Sequence, residues 1–186
     1  MPATYRRWAD SVPNDFRFSV KLAKQITHAL RLQNALLAID TFVEQISHLG
    51  SKLGCVLIQL PPSLAFDAAA AEQFFSALRI RTQVSLVCEP RHASWSMPDA
   101  SALLAQHSVA MVDTSPQAEN DSPLAYFRLH GEPVMYRSPY SAAALAGLAK
   151  TCAARAAQGL STWCIFDNTA QGAAVPNALA LRALLA

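Results

Sequence analysis

Six short runs rich in β-branched and aromatic residues recur along this chain: FRFSVKL (16–22), CVLIQL (55–60), VSLVCE (84–89), VAMVD (109–113), AYFRLH (125–130) and WCIFDN (163–168). Most are separated by stretches of helical periodicity. The clearest is 35–49, where Leu36, Ile39, Val43 and Ile46 recur at spacings of three and four, and similar stretches cover 68–80, 98–107 and 141–158. Pro176 suits the first turn of a last helix. Strands that alternate with helices in this way predict parallel pairing, because a parallel return needs a crossover and a helix is the usual one.

The choice between an open doubly wound sheet and a barrel rests on the pattern within the strands. An open parallel sheet is covered by helices on both faces, and its strands read as nearly continuous apolar runs. Here Phe18, Val20 and Leu22 share one side and Ser19 and Lys21 the other, while Tyr126, Arg128 and His130 oppose Phe127 and Leu129. Such alternation predicts an α/β fold of the (β/α)8 type, apolar outside under helices and polar inside toward one mouth. Six strands are too few to close eight, and the chain opens in what reads as the second half of a helix, TYRRWADSVP, so the barrel is expected to be incomplete.

With 186 residues, 52% of them apolar and 15% charged, the chain is long enough to bury a core as one domain over 1–186. Fifteen Lys and Arg give a net charge of +2 and never form a run that could follow a phosphate backbone, which argues against nucleic acid as partner. No apolar stretch approaches the roughly 20 residues of a membrane helix, and MPATYRRWADSVP lacks the apolar core of a secretory signal, so the expected location is the cytoplasm, with no membrane partner. Cys55, Cys88, Cys152 and Cys164 lie far apart with no CxxC pair, which reads as buried thiols rather than disulfides or a zinc site.

Five segments carry a resemblance. WADSVPNDFRFSVKLAKQITH, LIQLPPSLAF, CEPRHASW, YFRLHGEP with the following Tyr136 and Tyr140, and FDNTAQGAAVPNAL are similar, in order and spacing, to the YecE-like family, also called domain of unknown function 72. The match runs from about Tyr5 to Leu185. The resemblance implies a (β/α)8 barrel in a family without an established activity. It also implies that members begin with two further βα units, so this sequence corresponds to strands three to eight and is N-terminally truncated relative to the family.

Barrel active sites are built at the carboxyl ends of strands, and the polar residues there are Lys21, Gln59, Glu89, Asp113, Arg128, His130, Asp167 and Asn168, joined by Arg91 and His92. Charges on a barrel interior must pair, stay hydrated or serve chemistry. One reading is an internal salt-bridge layer, Lys21 with Glu89 and Arg128 with Asp113. The other is a cleft for a small polar ligand, and the resemblance supports it, since Lys21, Glu89, His92, Arg128, His130 and Asn168 coincide with the family's recurring motif positions.

Three chemistries fit such a cleft. The loops HGEP and NTAQGAA follow the last two strands, where many barrels bind phosphate; Gly172 would allow close backbone approach, with Arg128 and Lys21 neutralising the anion. Glu89, Asp113 and His130, with His92 or Asp167, could offer ligands to a divalent metal, although no His-x-His or His-Glu-x-x-His spacing occurs and Lys21 and Arg128 would oppose a dication, so no metal ligands are assigned and the cofactor stays open. General acid–base work needs neither: Glu89 and His130, with Lys21, are the candidate catalytic residues, and Arg128, His92, Asn168, Asp113, Gln59, Tyr136 and Gly172 the candidate ligand-binding ones.

Tyr136 and Tyr140 sit in a loop at the same mouth, able to bond a ligand or to pin the loop, and TSPQAENDSP (114–123) reads as a lid or as surface filler. Trp95 reads as packing, and His28 is the one other histidine able to reach the pocket. The functional expectation is an enzyme-like barrel for a small anionic or phosphorylated molecule, against a non-catalytic ligand-binding barrel and an inactive incomplete one. Strands 16–22 and 163–168 would each leave an unpaired edge, which predicts a homodimer through those edges or poor solubility.

Overall fold

A computed structural model describes residues 2–116, 122 and 124–186. The chain forms two compact units, Met1–Val109 and Ala110–Ala186. The first carries α1 (Pro2–Asp10), β1 (Phe18–Lys21), α2 (Leu36–Ser47), β2 (Leu53–Gln59), α3 (Ala68–Arg81), β3 (Ser85–Glu89) and α4 (Pro98–Gln106), and ends on the first residue of β4 (Val109–Asp113). The second carries the rest of β4, β5 (Leu124–Leu129), α5 (Ala142–Ala157), β6 (Ser161–Phe166) and α6 (Ala174–Leu185).

Within each unit the strands pair in chain order and in parallel. β1 lies on β2 with Lys21 opposite Leu57, and β2 lies on β3 with Gln59 opposite Glu89. β4 lies on β5 with Asp113 opposite Phe127, and β5 lies on β6 with Arg128 opposite Ile165. Neither unit shows the reversal of strand order that marks a doubly wound sheet. The fold class is therefore the one the sequence predicts: α/β, six parallel strands alternating with helices, of the incomplete (β/α)8 type. All six strands fall within a few residues of the predicted runs. Residues 117–121 and 123 of the expected mouth loop lie outside those described.

The predicted alternation is clearest on β5. Ala125, Phe127 and Leu129 point into a cluster with Leu145, Leu148, Ala149 and Cys152 of α5 and Leu181 of α6, joined by Cys164 and Phe166 of β6. On the opposite face Tyr126 stacks on Trp163, ring centroids 6.2 Å apart, and Arg128 meets Asp167. β2 and β3 differ: Cys55–Ile58 and Leu86–Glu89 are buried on both faces. The helical stripe of α2 also differs from the predicted set. Ile39, Phe42 and Ile46 are its buried residues, continued by Ala35 and Leu49, whereas Leu36 is 55% exposed. The spacing 35, 39, 42, 46, 49 follows one face, and Leu36 stands one residue, about 100°, round the helix from it.

Helix starts are chemically marked. Asp67 accepts from Ala70 N (3.0 Å) at α3, Ser141 accepts from Ala144 N (3.2 Å) at α5, and Pro98 opens α4. Such caps are worth about 1 kcal/mol each.

At the opposite ends of the strands, two arginines close the turns that start them. Arg79, near the end of α3, donates to the carbonyls of Val84 (2.8 Å), His107 (2.7 Å) and Ser108 (2.7 Å), just ahead of β3 and β4. Arg155, near the end of α5 and almost fully buried, donates to Thr162 Oγ1 (3.1 Å) and to the carbonyls of Ser122 (2.6 Å) and Ser161 (3.5 Å), at the starts of β5 and β6. Part of the dispersed positive charge thus serves carbonyls of the turns and strand starts.

All four cysteines are free thiols. Cys152 and Cys164 nevertheless meet with sulfurs 3.6 Å apart, because α5 packs directly on β6. Burial pushes the Cys55 thiol up to about 12 and raises Cys88 as well.

Two outcomes follow from this packing. Arg155→Met removes the donors but leaves the Ser122 and Ser161 carbonyls in place, and should cost about 2–3 kcal/mol in urea unfolding; a midpoint within error of the parent would contradict the clamp. A raised thiol pKa keeps the group protonated at every pH below it, so iodoacetamide at pH 8 should leave Cys55 and Cys88 unmodified until denaturant is added, as peptide mass mapping would read.

Candidate functional site

Each unit gathers polar side chains at the carboxyl ends of its strands, where a barrel builds its chemistry. In the first unit Lys21 ends β1, Gln59 ends β2 and Glu89 ends β3. Lys21 Nζ donates to Gln59 Oε1, and Gln59 faces Glu89 across the ladder. Glu89 is 3% exposed, and its carboxylate lies 2.7 Å from the Arg91 guanidinium, an ion pair two residues apart in the chain. The sequence placed both residues at this mouth but did not pair them.

His92 and His28 stand nearby in the chain with local partners. His92 Nδ1 accepts from Ser94 N (3.2 Å) and lies 2.8 Å from Ser94 Oγ, so the imidazole caps the short turn Ala93–Ser96. Ser94 Oγ in turn accepts from Phe66 N (2.7 Å), which ties the segment after β3 to the segment after β2. His28 Nδ1 lies 2.8 Å from Thr27 Oγ1; burial, with Lys24 and Lys21, holds its pKa below the ordinary imidazole value and favours the neutral ring.

The second unit is the more densely built. Arg128 is the penultimate residue of β5, His130 follows that strand and Asp167 follows β6. One carboxylate oxygen, Asp167 Oδ2, accepts from Arg128 Nη2 at 2.5 Å and lies 3.0 Å from His130 Nδ1. His130 is 7% exposed and its ring meets Tyr136 edge-on, centroids 5.1 Å apart. An imidazole bonded through Nδ1 to a carboxylate carries its proton on that nitrogen when neutral, so Nε2 becomes the position that accepts a proton. Arg128 balances the Asp167 charge, and a protonated His130 would leave the trio at net +1.

A buried polar latch fixes the loops that carry this trio. Asn168 is fully buried; its Nδ2 donates to Ser138 O and to Asn177 Oδ1, both at 2.9 Å. Asn177 Oδ1 also accepts from Tyr140 N (3.0 Å), and the Tyr140 hydroxyl accepts from Gly131 N (3.0 Å). Tyr136 joins through its backbone: its N–H reaches His130 O (2.5 Å) and its carbonyl accepts from Ala170 N (3.0 Å). Among the described residues, Asn168 Oδ1 is the one buried side-chain atom with no hydrogen-bond partner.

Asn177 is the member of this latch that sequence reading missed. The signal was there: Ala174, Asn177 and Leu181 form the buried stripe of α6, and an amide at helical spacing among apolar residues needs partners. Asp113 ends β4 half-buried. Among the described residues no three of His, Cys, Asp or Glu are grouped as a metal ion would require.

The two glycines of these loops differ in kind. At Gly131 (φ +94°) an added Cβ would lie 2.5 Å from Ser138 O and 2.9 Å from Asn168 Cβ, whereas at Gly172 (φ +77°) it would meet nothing within 4 Å. Gly131 is required by close approach as well as by backbone, Gly172 by backbone alone. Gly131→Ala should therefore lower stability by about 3 kcal/mol and Gly172→Ala by about 1 kcal/mol; equal losses in chemical denaturation would contradict the latch geometry.

The chain's likeness to known proteins runs along its whole length. A family model described as protein of unknown function DUF72 matches residues 1–186. A crystal structure of a DUF72 family protein from Thermotoga maritima superposes with a TM-score of 0.80 at 26% identity, over 98% of this chain and 78% of that one. Two crystal structures of a DUF72 family protein from Enterococcus faecalis share the fold, with TM-scores of 0.78 and 0.76 at 20% and 22% identity, over 99% of this chain and 79% and 84% of theirs. No curated protein matches the chain. The YecE-like resemblance read from its five segments and this family are the same, and the chain belongs to the DUF72 family.

Proposed function

We propose that the second unit carries an enzyme-like acid–base site for a small anionic or phosphorylated molecule. The observation that supports this reading is the Asp167 carboxylate shared by Arg128 and His130. A carboxylate on Nδ1 sets the tautomer, holds the ring and stabilises the imidazolium after proton uptake, which is what a general base requires. The base is His130 Nε2. Arg128, on the same carboxylate, brings the positive charge that an anionic substrate meets beside this base.

Lys21 and Glu89 are the first unit's candidates, with Gln59 and Arg91 as their partners. Tyr136, set against the His130 ring, is a candidate contact to the ligand. Asp113, His92, Asn168 and Gly172 are proposed for ligand binding on their place at strand ends alone. No membrane partner is proposed, and among the described residues no helix is long and apolar enough to cross a membrane. A homodimer through exposed strand edges belongs to the same proposal.

The alternative is a ligand-binding barrel without turnover, and substitution separates the two. Phosphorus NMR on a panel of sugar and glycerol phosphates should show conversion that His130→Asn reduces by about 10²–10⁴-fold with little change in affinity, and that Asp167→Asn also reduces. Arg128→Met should instead weaken binding by about tenfold. Binding without conversion, sensitive to Arg128→Met, would favour the non-catalytic reading; conversion that survives His130→Asn, or a panel neither bound nor converted, would refute the acid–base site.

A further inference from the structure

The first unit contains a cleft of about 480 Å³ built by the segments that follow β1, β2 and β3, and none of the candidate site residues named above lines it. Its walls and its charge are unlike those of the proposed acid–base site. Its lining is mixed: Leu30, Leu64, Phe66 and Trp95 give it an apolar side beside the polar Arg31, Gln33, Ser63 and Asp67, and the small side chains of Ala65 and Ala70 leave the space open. Phe66 and Trp95 meet edge to face with centroids 5.0 Å apart, and Trp95 Nε1 donates to Leu64 O (2.9 Å), so the aromatic wall is fixed before any ligand arrives.

One wall is held in a costly conformation. A π-helical turn, Gln25–Ala29, leads into Arg31, Leu32 and Asn34, all left-handed at φ 50°, 68° and 49°, and none of them is glycine. Each such residue costs about 1 kcal/mol or more, and strain of this kind persists where the surroundings impose it. The constraint here is Arg31, which crosses to the segment after β2 and donates to Ser63 Oγ (3.1 Å) and Ser63 O (2.8 Å). A guanidinium has five N–H donors. Two are spent on Ser63, and the other three have no protein partner among the described residues. The Gln33 carboxamide lines the same cleft, and Asp67 is occupied at one oxygen in capping α3.

We propose that this cleft binds a small carboxylate with an apolar body, its carboxylate on the Arg31 guanidinium and its hydrocarbon part against Leu64, Phe66 and Trp95. The volume is that of a small-molecule site. A planar fork with donors to spare matches a carboxylate in two-point geometry. A phosphate dianion fits poorly, since among the described residues Arg31 is the one cation lining the cleft, and Asp67 adds a like charge. This site lies in a different unit from the acid–base trio and takes a different ligand, so its failure would leave that reading intact.

The probes are 3-phenylpropanoate and 4-methylpentanoate, each compared with its neutral amide, titrated into the full chain by calorimetry or ligand-observed NMR. Saturable binding of one acid per chain is expected, with the amide weaker by about tenfold or more and inorganic phosphate unable to compete. Arg31→Met should weaken the acid by a similar factor, and Ala70→Phe, which fills the cleft without changing charge, should abolish binding of acid and amide alike. If Arg31→Met fails to fold, Ala70→Phe and the acid–amide comparison still decide. Equal affinity for acid and amide, binding indifferent to Ala70→Phe, or no saturable binding of either acid would overturn the proposal.

Discussion

Parallel pairing is the constraint on which everything else here rests. A strand that lies parallel to its predecessor must be reached by a crossover, and the crossover helix then needs an apolar strand face to bury. On β5 and β6 that face is Ala125, Phe127, Leu129, Cys164 and Phe166, packed on α5 and α6. Once it is committed, the alternation of the strand sends Tyr126, Arg128 and Trp163 to the other side, so the helices that hold the unit together also decide where its polar residues go.

The two ends of the strands then acquire different chemistry. At their starts, Arg79 and Arg155 donate to turn carbonyls, which makes this end a place of internal closure. At their carboxyl ends the polar side chains are bonded to one another: Lys21 to Gln59, Glu89 to Arg91, and Arg128 and His130 to one oxygen of Asp167. Pairing lowers the desolvation cost of keeping these groups near the interior. It also poises them, because a histidine whose Nδ1 is held by a carboxylate differs from a free imidazole in orientation and tautomer.

The latch of Asn168, Asn177, Tyr140 and Gly131 shows how a site of this kind is kept in register. Every member is main chain or amide and hydroxyl, so it fixes the loops after β5 and β6 without adding charge beside Asp167. The DUF72 structures from Thermotoga maritima and Enterococcus faecalis share this fold over nearly the whole of the present chain, and the chain spans 78–84% of theirs.

Element order, parallel pairing and the residues at the strand mouths were legible in the chain itself, because they depend on periodicity: two residues per strand repeat, 3.6 per helical turn, and a polar residue where an apolar run stops. That is why Lys21, Glu89, Arg128, His130 and Asp167 could be named beforehand. Their partners could not be. Arg128 was matched with Asp113 by charge, and its bond to Asp167 was not foreseen; that bond arises because β6 lies directly beside β5 and the register sets Arg128 opposite Ile165, two residues before that aspartate. Nor could the meeting of Cys152 with Cys164, the bond from Asn168 to Asn177 or the reach of Arg31 to Ser63 be read from spacing. The sequence by itself determined which residues stand at the ends of which elements, since local pattern encodes that. Only the tertiary structure decided which of them touch, since that depends on strand register and on the path of loops whose left-handed residues, Arg31, Leu32 and Tyr136, carry no glycine to announce them.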